Sequence, residues 1–424
     1  MNYTKYKMNG YNLHIIKTNK FKTITIRINL KQKINKETMT IRRTLTEILI
    51  QSSKKYPNRR LLEEKCEDLY GVSIGCNNFK SGNYDIISLS ESFLNDKYTE
   101  LGMNKESFEF LLQILCNPNI KEEQFESYSL DVAKRIIKDS IDSFSDYPKA
   151  YSNSRLLEVL APDSPISYRG CGYLKDLKKI NTKNLYEYYR QVLENDIMDI
   201  VIVGDVNEKD MKEMIEQNFS RVGKFHESDS HFMIQREIRK KTLVVKEKQN
   251  INQSHLLIGC NFEELNDFEL RYVLNVYSFI LGGSGDSLLF KTVREKNSLC
   301  YSISSTYDII GGLLTISAGI SSKNYEKTVQ LIKESLEQMK KGEFEEKEIL
   351  KAKTIFKNSC IEITDAPGSI ISTYLSHEYL NSDLIEDKLK KIDLVTKEMV
   401  VSLANKIHIN TIYLLEGGSH EKEI

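Results

Sequence analysis

Arg294 and Tyr301 stand seven residues apart in the segment VREKNSLCYSISS (residues 293–305), and their chemistry is complementary. A guanidinium presents a rigid fork of donors and a phenol one more, so the pair suits a peptide carbonyl and the negative charge its oxygen gains under attack. Neither group is a nucleophile. The segment can hold and stabilise, and another group has to cut. In isolation an Arg at a helix end and a Tyr opening a strand are ordinary structure, so the weight of the pair depends on the elements around it. Cys300, beside Tyr301, has no nearby His to make it a thiolate and is read as structural.

The other chemistry-bearing residues are sparse. Seven cysteines (Cys66, Cys76, Cys116, Cys171, Cys260, Cys300, Cys360) are odd in number and contain no C-x-x-C, which argues against a disulfide framework and a thiolate zinc site. Of the histidines (His14, His226, His231, His255, His377, His408, His420), only His226 and His231 are close in sequence. They fall in a polar stretch without the carboxylate pattern that would hold zinc rigidly. Gly282-Gly283-Ser284-Gly285 before a helix lacks the Lys-Ser/Thr ending of a phosphate loop and is read as a tight turn fitting helix to sheet. Basic and acidic residues both number 60, so no net field draws the chain to nucleic acid or to an anionic membrane. No segment approaches the roughly 20 apolar residues of a membrane helix, and the N-terminus has no apolar leader. The expectation is a cytoplasmic protein with no nucleic-acid and no membrane partner.

The elements that must position these residues come in duplicate. Phe125 is followed 23 residues later by Pro148, and Phe344 is followed 23 residues later by Pro367. LKKIN (177–181) recurs as LKKID (389–393), each with an apolar strand whose matching Ile lies 20 residues on, Ile180 to Ile200 and Ile392 to Ile412. Two anchors with matching internal distances indicate two homologous domains, 1–222 and 240–424, joined by a linker at 223–239. Each half mixes strands and helices without strict alternation, which predicts an α+β fold: an antiparallel-rich sheet covered by helices. Tyr325, Val329, Ile332, Leu336 and Met339 form a helical stripe closed by Gly342, and Leu62, Cys66, Leu69 and Tyr70 form another between Asn58 and Gly71. The segment 76–90 reads as a hairpin turning at Ser81-Gly82-Asn83.

With these pieces in place, FILGGSGDSLLFKTVREKNSLCYSISSTYD (279–308) resembles the C-terminal part of M16 peptidase domains, the insulinase and mitochondrial processing peptidase family. FKTITIRINL (21–30), KKYP (54–57), DLYGV (68–72), DYP (146–148) and VGDV (203–206) extend the resemblance over nearly the whole chain, most like the YfmF-type bacterial members. The resemblance implies two LuxS/MPP-like domains. It also implies zinc on a His-x-x-Glu-His helix in active members, with a distant Glu as third ligand. The matching positions here hold Arg43, Thr46 and Glu47, on a helix whose buried stripe is read as Ile41, Leu45, Ile48 and Leu49. The third-ligand position falls near Asp139 or Ser140. An Arg repels a cation and a Thr is no general base, so no metal is expected in this chain. Arg43 and Glu47 could instead form an i, i+4 ion pair, solvated or not.

Some members of the family are heterodimers in which one chain brings zinc and the other brings Arg and Tyr. The resemblance thus implies a non-catalytic subunit with a zinc-bearing, YfmH-like partner, a peptide or unfolded polypeptide substrate, and Arg294 and Tyr301 as substrate-binding and oxyanion-stabilising groups acting in trans. A different implication is a non-proteolytic scaffold of the same fold, linked to elongation factor P modification. In either case the substrate is expected to add as a strand on the 76–90 hairpin or its second-half equivalent.

Overall fold

A computed structural model describes residues 1–221 and 223–417; Val222 and residues 418–424, including His420, lie outside the described residues. The chain divides into two compact units, one of Met1–Ser143, Arg169–His231 and Ile363–Ser382, the other of Phe144–Tyr168, Phe232–Glu362 and Asp383–Ile424. These units do not follow the expected boundaries 1–222 and 240–424. Each half of the sequence gives one helical segment to the unit built mainly by the other half.

The first unit's strands are β1 (Asn2–Lys7), β2 (Asn12–Lys17), β3 (Thr23–Lys33), β4 (Ser73–Ser81), β5 (Tyr84–Leu94), the two-residue β6 (Ile120–Lys121) and β7 (Gln124–Phe125), and β8 (Ile197–Gly204). The second unit adds β9 (Leu243–Gln249), β10 (Ser254–Phe262), β11 (Cys300–Asp308), β12 (Leu313–Ile320) and β13 (Ile407–Gly417). Among the described residues the two main sheets run β1-β2-β8-β3-β5-β4 and β9-β13-β10-β12-β11. Apart from β1 the orders correspond strand for strand. The one parallel pairing in each, β2 with β8 and β9 with β13, also falls at the same place. The duplication read from two short anchors is therefore a duplication of topology, and the α+β architecture is as expected.

Alternation along β3 shows how the sheet is layered. Ile24, Ile26, Ile28 and Leu30 face a core shared with Leu45, Ile48 and Leu49, Phe108 and Leu111, Leu130 and Ile137, and Leu185 and Val192 from four helices. The intervening Thr25, Asn29 and Lys31 are also buried, on the opposite face. There the helix Pro367–Leu380 docks through polar groups. The Asp199 carboxylate lies 2.8 Å from the Lys31 ammonium, accepts from the Tyr379 hydroxyl at 2.7 Å and sits 3.4 Å from His14 Nε2. Burial opposes the Asp199 charge, but Lys31 and His14 hold its pKa far below the usual carboxylate range. The equivalent helix in the second unit, Pro148–Leu160, docks through an apolar cluster of Leu156 with Leu257, Tyr413 and Leu415, beside an ion pair of Arg155 with Glu247. Both helices begin on the proline that marked the repeat.

Most local expectations hold, but Tyr70, read as part of a helical stripe, lies past the helix end and is 53% exposed. The helix Arg59–Asp68 starts at Asn58, whose side chain accepts from the Leu61 amide, and is followed by Tyr70 and Gly71 at positive φ. The helix Tyr325–Lys341 ends at Gly342, φ +71°. β4 and β5 form the expected hairpin around Gly82 and Asn83. No helix among the described residues is long and apolar enough to cross a membrane.

The segment 223–239 is not a loose tether. His231 is fully buried in the first unit, its ring stacked between Tyr84 and Tyr379 with both centroids at 4.3 Å, and its Nδ1 2.9 Å from Ser81 Oγ. From Phe232 onward the segment is strapped to the second unit, where Asn261 donates to Gln235 O and Asn410 to Glu237 O. Polarity and lack of periodicity described the side chains here without showing that the backbone is captured from both sides.

Candidate functional site

The helix Met39–Leu49 carries the positions that the resemblance matches to the zinc motif of active members. Arg43 donates to Thr46 Oγ1 at 3.1 Å and forms an ion pair with Glu47, while Thr46 donates back to Arg43 O at 2.8 Å. The three residues satisfy one another: the guanidinium already supplies a positive charge, and the single carboxylate is paired with it. Among the described residues no imidazole joins them. These side chains do not fit a zinc ion. The pair is not a solvated surface pair either, since Arg43 and Glu47 retain only 21% and 12% side-chain exposure and Thr46 is fully buried. Asp139 and Ser140 stand on the exposed side of the helix Ser127–Asp142 and bond to none of the three.

Sequence reasoning missed the residue beside them. Arg42 joins the buried stripe at 0% exposed, while Ile41 is only half-buried where it packs against the same core. Its guanidinium lies 2.6 Å from Asp196 Oδ2 and 3.6 Å from Asp85 Oδ1, and donates to the Leu30 and Asp85 carbonyls. Burial works against its charge, yet Asp196, Tyr188 and Asp85 together raise its pKa. The signal was present: residues 42, 45 and 49 share one helical face.

In the second unit the helix Leu274–Gly282 lies so close to the sheet that a Cβ at Gly282 would come within 2.6 Å of the Ser305 amide nitrogen. The glycine turn is thus a fitting of helix to sheet, as expected. A π-helical segment, Phe290–Glu295, then presents Arg294, and β11 begins five residues later. A register shift between Cys300 and Ser302, opposite Ile320 and Gly319, leaves Tyr301 as an extra residue in the strand. Such a bulge re-aims its side chain, and Tyr301 is 76% exposed although it sits within a strand.

The two residues come together. The Arg294 guanidinium lies 5.4 Å from the Tyr301 ring centroid and 4.6 Å from that of Phe290, a partner the sequence did not disclose. Both rings lie at cation–π distance from the guanidinium. Neither the guanidinium nor the Tyr301 hydroxyl has a hydrogen-bond partner among the described residues. Cys300 is half-buried, and burial pushes its thiol pKa up, away from thiolate chemistry. The arrangement can donate several hydrogen bonds to a carbonyl or oxyanion, and it offers no nucleophile. β11 and β4 are each the edge strand of their sheet, so the hairpins expected to accept an added strand are placed to do so.

A family model described as "Peptidase M16 inactive domain" matches residues 179–356. The chain is 28% identical over 420 residues to "Probable inactive metalloprotease YmfF" of Bacillus subtilis (strain 168), covering 98% of both chains. It is 24% identical over 287 residues to "Uncharacterized zinc protease YmxG" of the same strain, covering 67% of this chain and 69% of that one. The first of these corrects the spelling of the bacterial group from YfmF to YmfF. Among solved structures, a conserved protein from Enterococcus faecalis V583 superposes with a TM-score of 0.92 at 28% identity over 100% of both chains. A peptidase M16 inactive domain from Pseudomonas fluorescens shares the fold, with a TM-score of 0.80 at 15% identity over 100% of this chain and 99% of that one. Fold, family match and relatives agree: residues 179–356 match an M16 peptidase domain, and the chain as a whole is similar to a metalloprotease described as inactive.

Proposed function

We propose that the chain is the subunit without zinc in a two-chain M16-type metallopeptidase, working with a zinc-bearing partner of the same family. The metal would be the partner's and would supply the attacking water. This chain's part is to hold: Arg294 and Tyr301 grip the substrate backbone and stabilise the oxyanion formed at the scissile carbonyl. The observation that carries the reading is the pairing of two unengaged donors, one exposed by a strand bulge and the other at cation–π distance from its ring, in a chain whose zinc-motif positions are tied to one another. An added β-strand along a hairpin edge would bring a peptide carbonyl to them.

The same contacts also support a second reading. Phe290, Arg294 and Tyr301 can be a purely structural cluster in a non-proteolytic scaffold or peptide-binding protein. One experiment separates the two. Alone, the purified chain cleaves no peptide; mixed with the zinc-bearing partner it raises peptidase activity, and Arg294→Ala lowers that turnover by about tenfold to a thousandfold. Full activity in the mixture with Arg294→Ala, at unchanged thermal stability, would leave the scaffold.

A further inference from the structure

Next to Tyr301 the second unit contains a cleft of about 130 Å³. Its floor is a face of β10, β12 and β11 carrying His255, Ser317, Ser302 and Ser304, and its wall is the start of the helix Pro148–Leu160 with Lys149 and Asn153. Register explains why there is space. His255 lies opposite Gly319, which lies opposite Ser302, while Leu257 lies opposite Ser317, which lies opposite Ser304. Small residues therefore line the two outer strands, and the helix itself packs on β10 and β13 rather than over them.

The charge of the lining is one-sided. Among the described residues no carboxylate lines the cleft. The Lys149 ammonium has no ion pair or hydrogen bond among the described residues, and neither ring nitrogen of His255 has a partner. Burial lowers the His255 pKa, with Lys149 adding to the effect, so the ring is a neutral donor and acceptor at pH 7 rather than a second cation. An ammonium without a counter-ion, an imidazole and serine hydroxyls around one small space suit an anion, through charge-assisted hydrogen bonds.

We propose that this cleft is a carboxylate subsite for the bound polypeptide, taking an acidic side chain or the terminal carboxylate of a strand laid along β11. The proposal rests on the peptide-holding reading above. Side chains of an added strand alternate between faces and share the face of the residues opposite, so every second one beside Ser302 and Ser304 lies over the cleft. The structure thereby adds selection to grip: Tyr301 and Arg294 hold main chain, and the cleft next to them reads charge.

The chain contains no tryptophan, so a tryptophan in a peptide reports its own binding. Three short peptides suffice: one capped at both ends with alternating Glu, its Gln isostere, and that isostere with a free C-terminal carboxylate. At low salt the Glu peptide or the free-carboxylate peptide binds the full chain roughly fivefold more tightly than the capped Gln peptide, a difference of about 1 kcal/mol. Whichever is favoured identifies the source of the carboxylate. Lys149→Gln abolishes the difference and leaves the capped Gln peptide unchanged. Equal binding of all three, weakened by Arg294→Ala, overturns the subsite and keeps the grip. Acetate titration followed by the His255 ring signals, assigned with His255→Asn, is the independent arm. If no peptide binds while acetate moves those signals in wild type and not in Lys149→Gln, the carboxylate cleft stands and the peptide-holding reading falls. Signals that acetate does not move overturn the proposal.

Discussion

His231 illustrates how much of this molecule is decided one side chain at a time. Burial, with Lys31 and Lys33 adding and Asp199 opposing, pushes its pKa down to about 3 from an unfolded value near 6.5. A depressed base stabilises the fold fully above the unfolded pKa, and that stability is lost as pH falls from about 6.5 toward 3. His231→Phe keeps a ring between Tyr84 and Tyr379 but gives up the contact with Ser81 and the proton. At pH 7.5 the variant is expected to be about 1 kcal/mol less stable. By pH 5 the gap closes or reverses, as urea unfolding at the two pH values would show; an unchanged gap would mean the imidazole is not held neutral. From sequence this histidine was one half of a loose pair in a polar stretch. Nothing local revealed that residues distant in the chain, Tyr84 and Tyr379, close on both of its faces. Arg294 and Tyr301 were legible because their types and spacing carry chemistry, whereas Phe290 was not, because an apolar ring before a basic residue has many uses. Arg42 lay between these cases. Its stripe was readable, but a charge on a buried stripe is read as an error in phase until Asp85 and Asp196 are seen to meet it.

At the scale of elements, what positions the candidate site is a sequence of close fits. The helix Leu274–Gly282 touches β11 at Gly282, the π-helical segment presents Arg294, and the bulge turns Tyr301 outward. Gly282→Ala therefore places a methyl against backbone rather than against a side chain that can move. It is expected to cost about 1–3 kcal/mol and to displace β11, lowering peptide binding along with the melting temperature; a variant with wild-type melting would show that the approach is slack. Strands and helices were legible here because their periods are local: alternation in β3, the stripes closed by Gly71 and Gly342, the hairpin at Gly82 and Asn83. The bulge and the π-helical segment were not. Each inserts a residue into a regular pattern without changing composition, and only the partner strand or preceding turn shows the insertion.

For the whole molecule, the repeat was legible as a pair of anchors at equal spacing, but the exchange of helices between the halves was not. The anchors mark where Pro148 and Pro367 begin their helices, and nothing in their spacing says which sheet each helix covers. The polar docking of Pro367–Leu380, through Asp199, Lys31 and Tyr379, predicts that a fragment of residues 1–240 made alone is poorly ordered and gains helical signal and a sharper melt when the remainder of the chain is added. A fragment that melts as cooperatively alone as with its complement would contradict this. The same exchange bears on how the protein is made. The residues that finish the first unit, 363–382, leave the ribosome after more than four-fifths of the chain has been synthesised, so that unit cannot be completed while its own half is emerging. Until then Lys31 and Asp199 wait without their cover. A nascent chain that stalls before residue 363 lacks the helix whose Tyr379 covers this charged face.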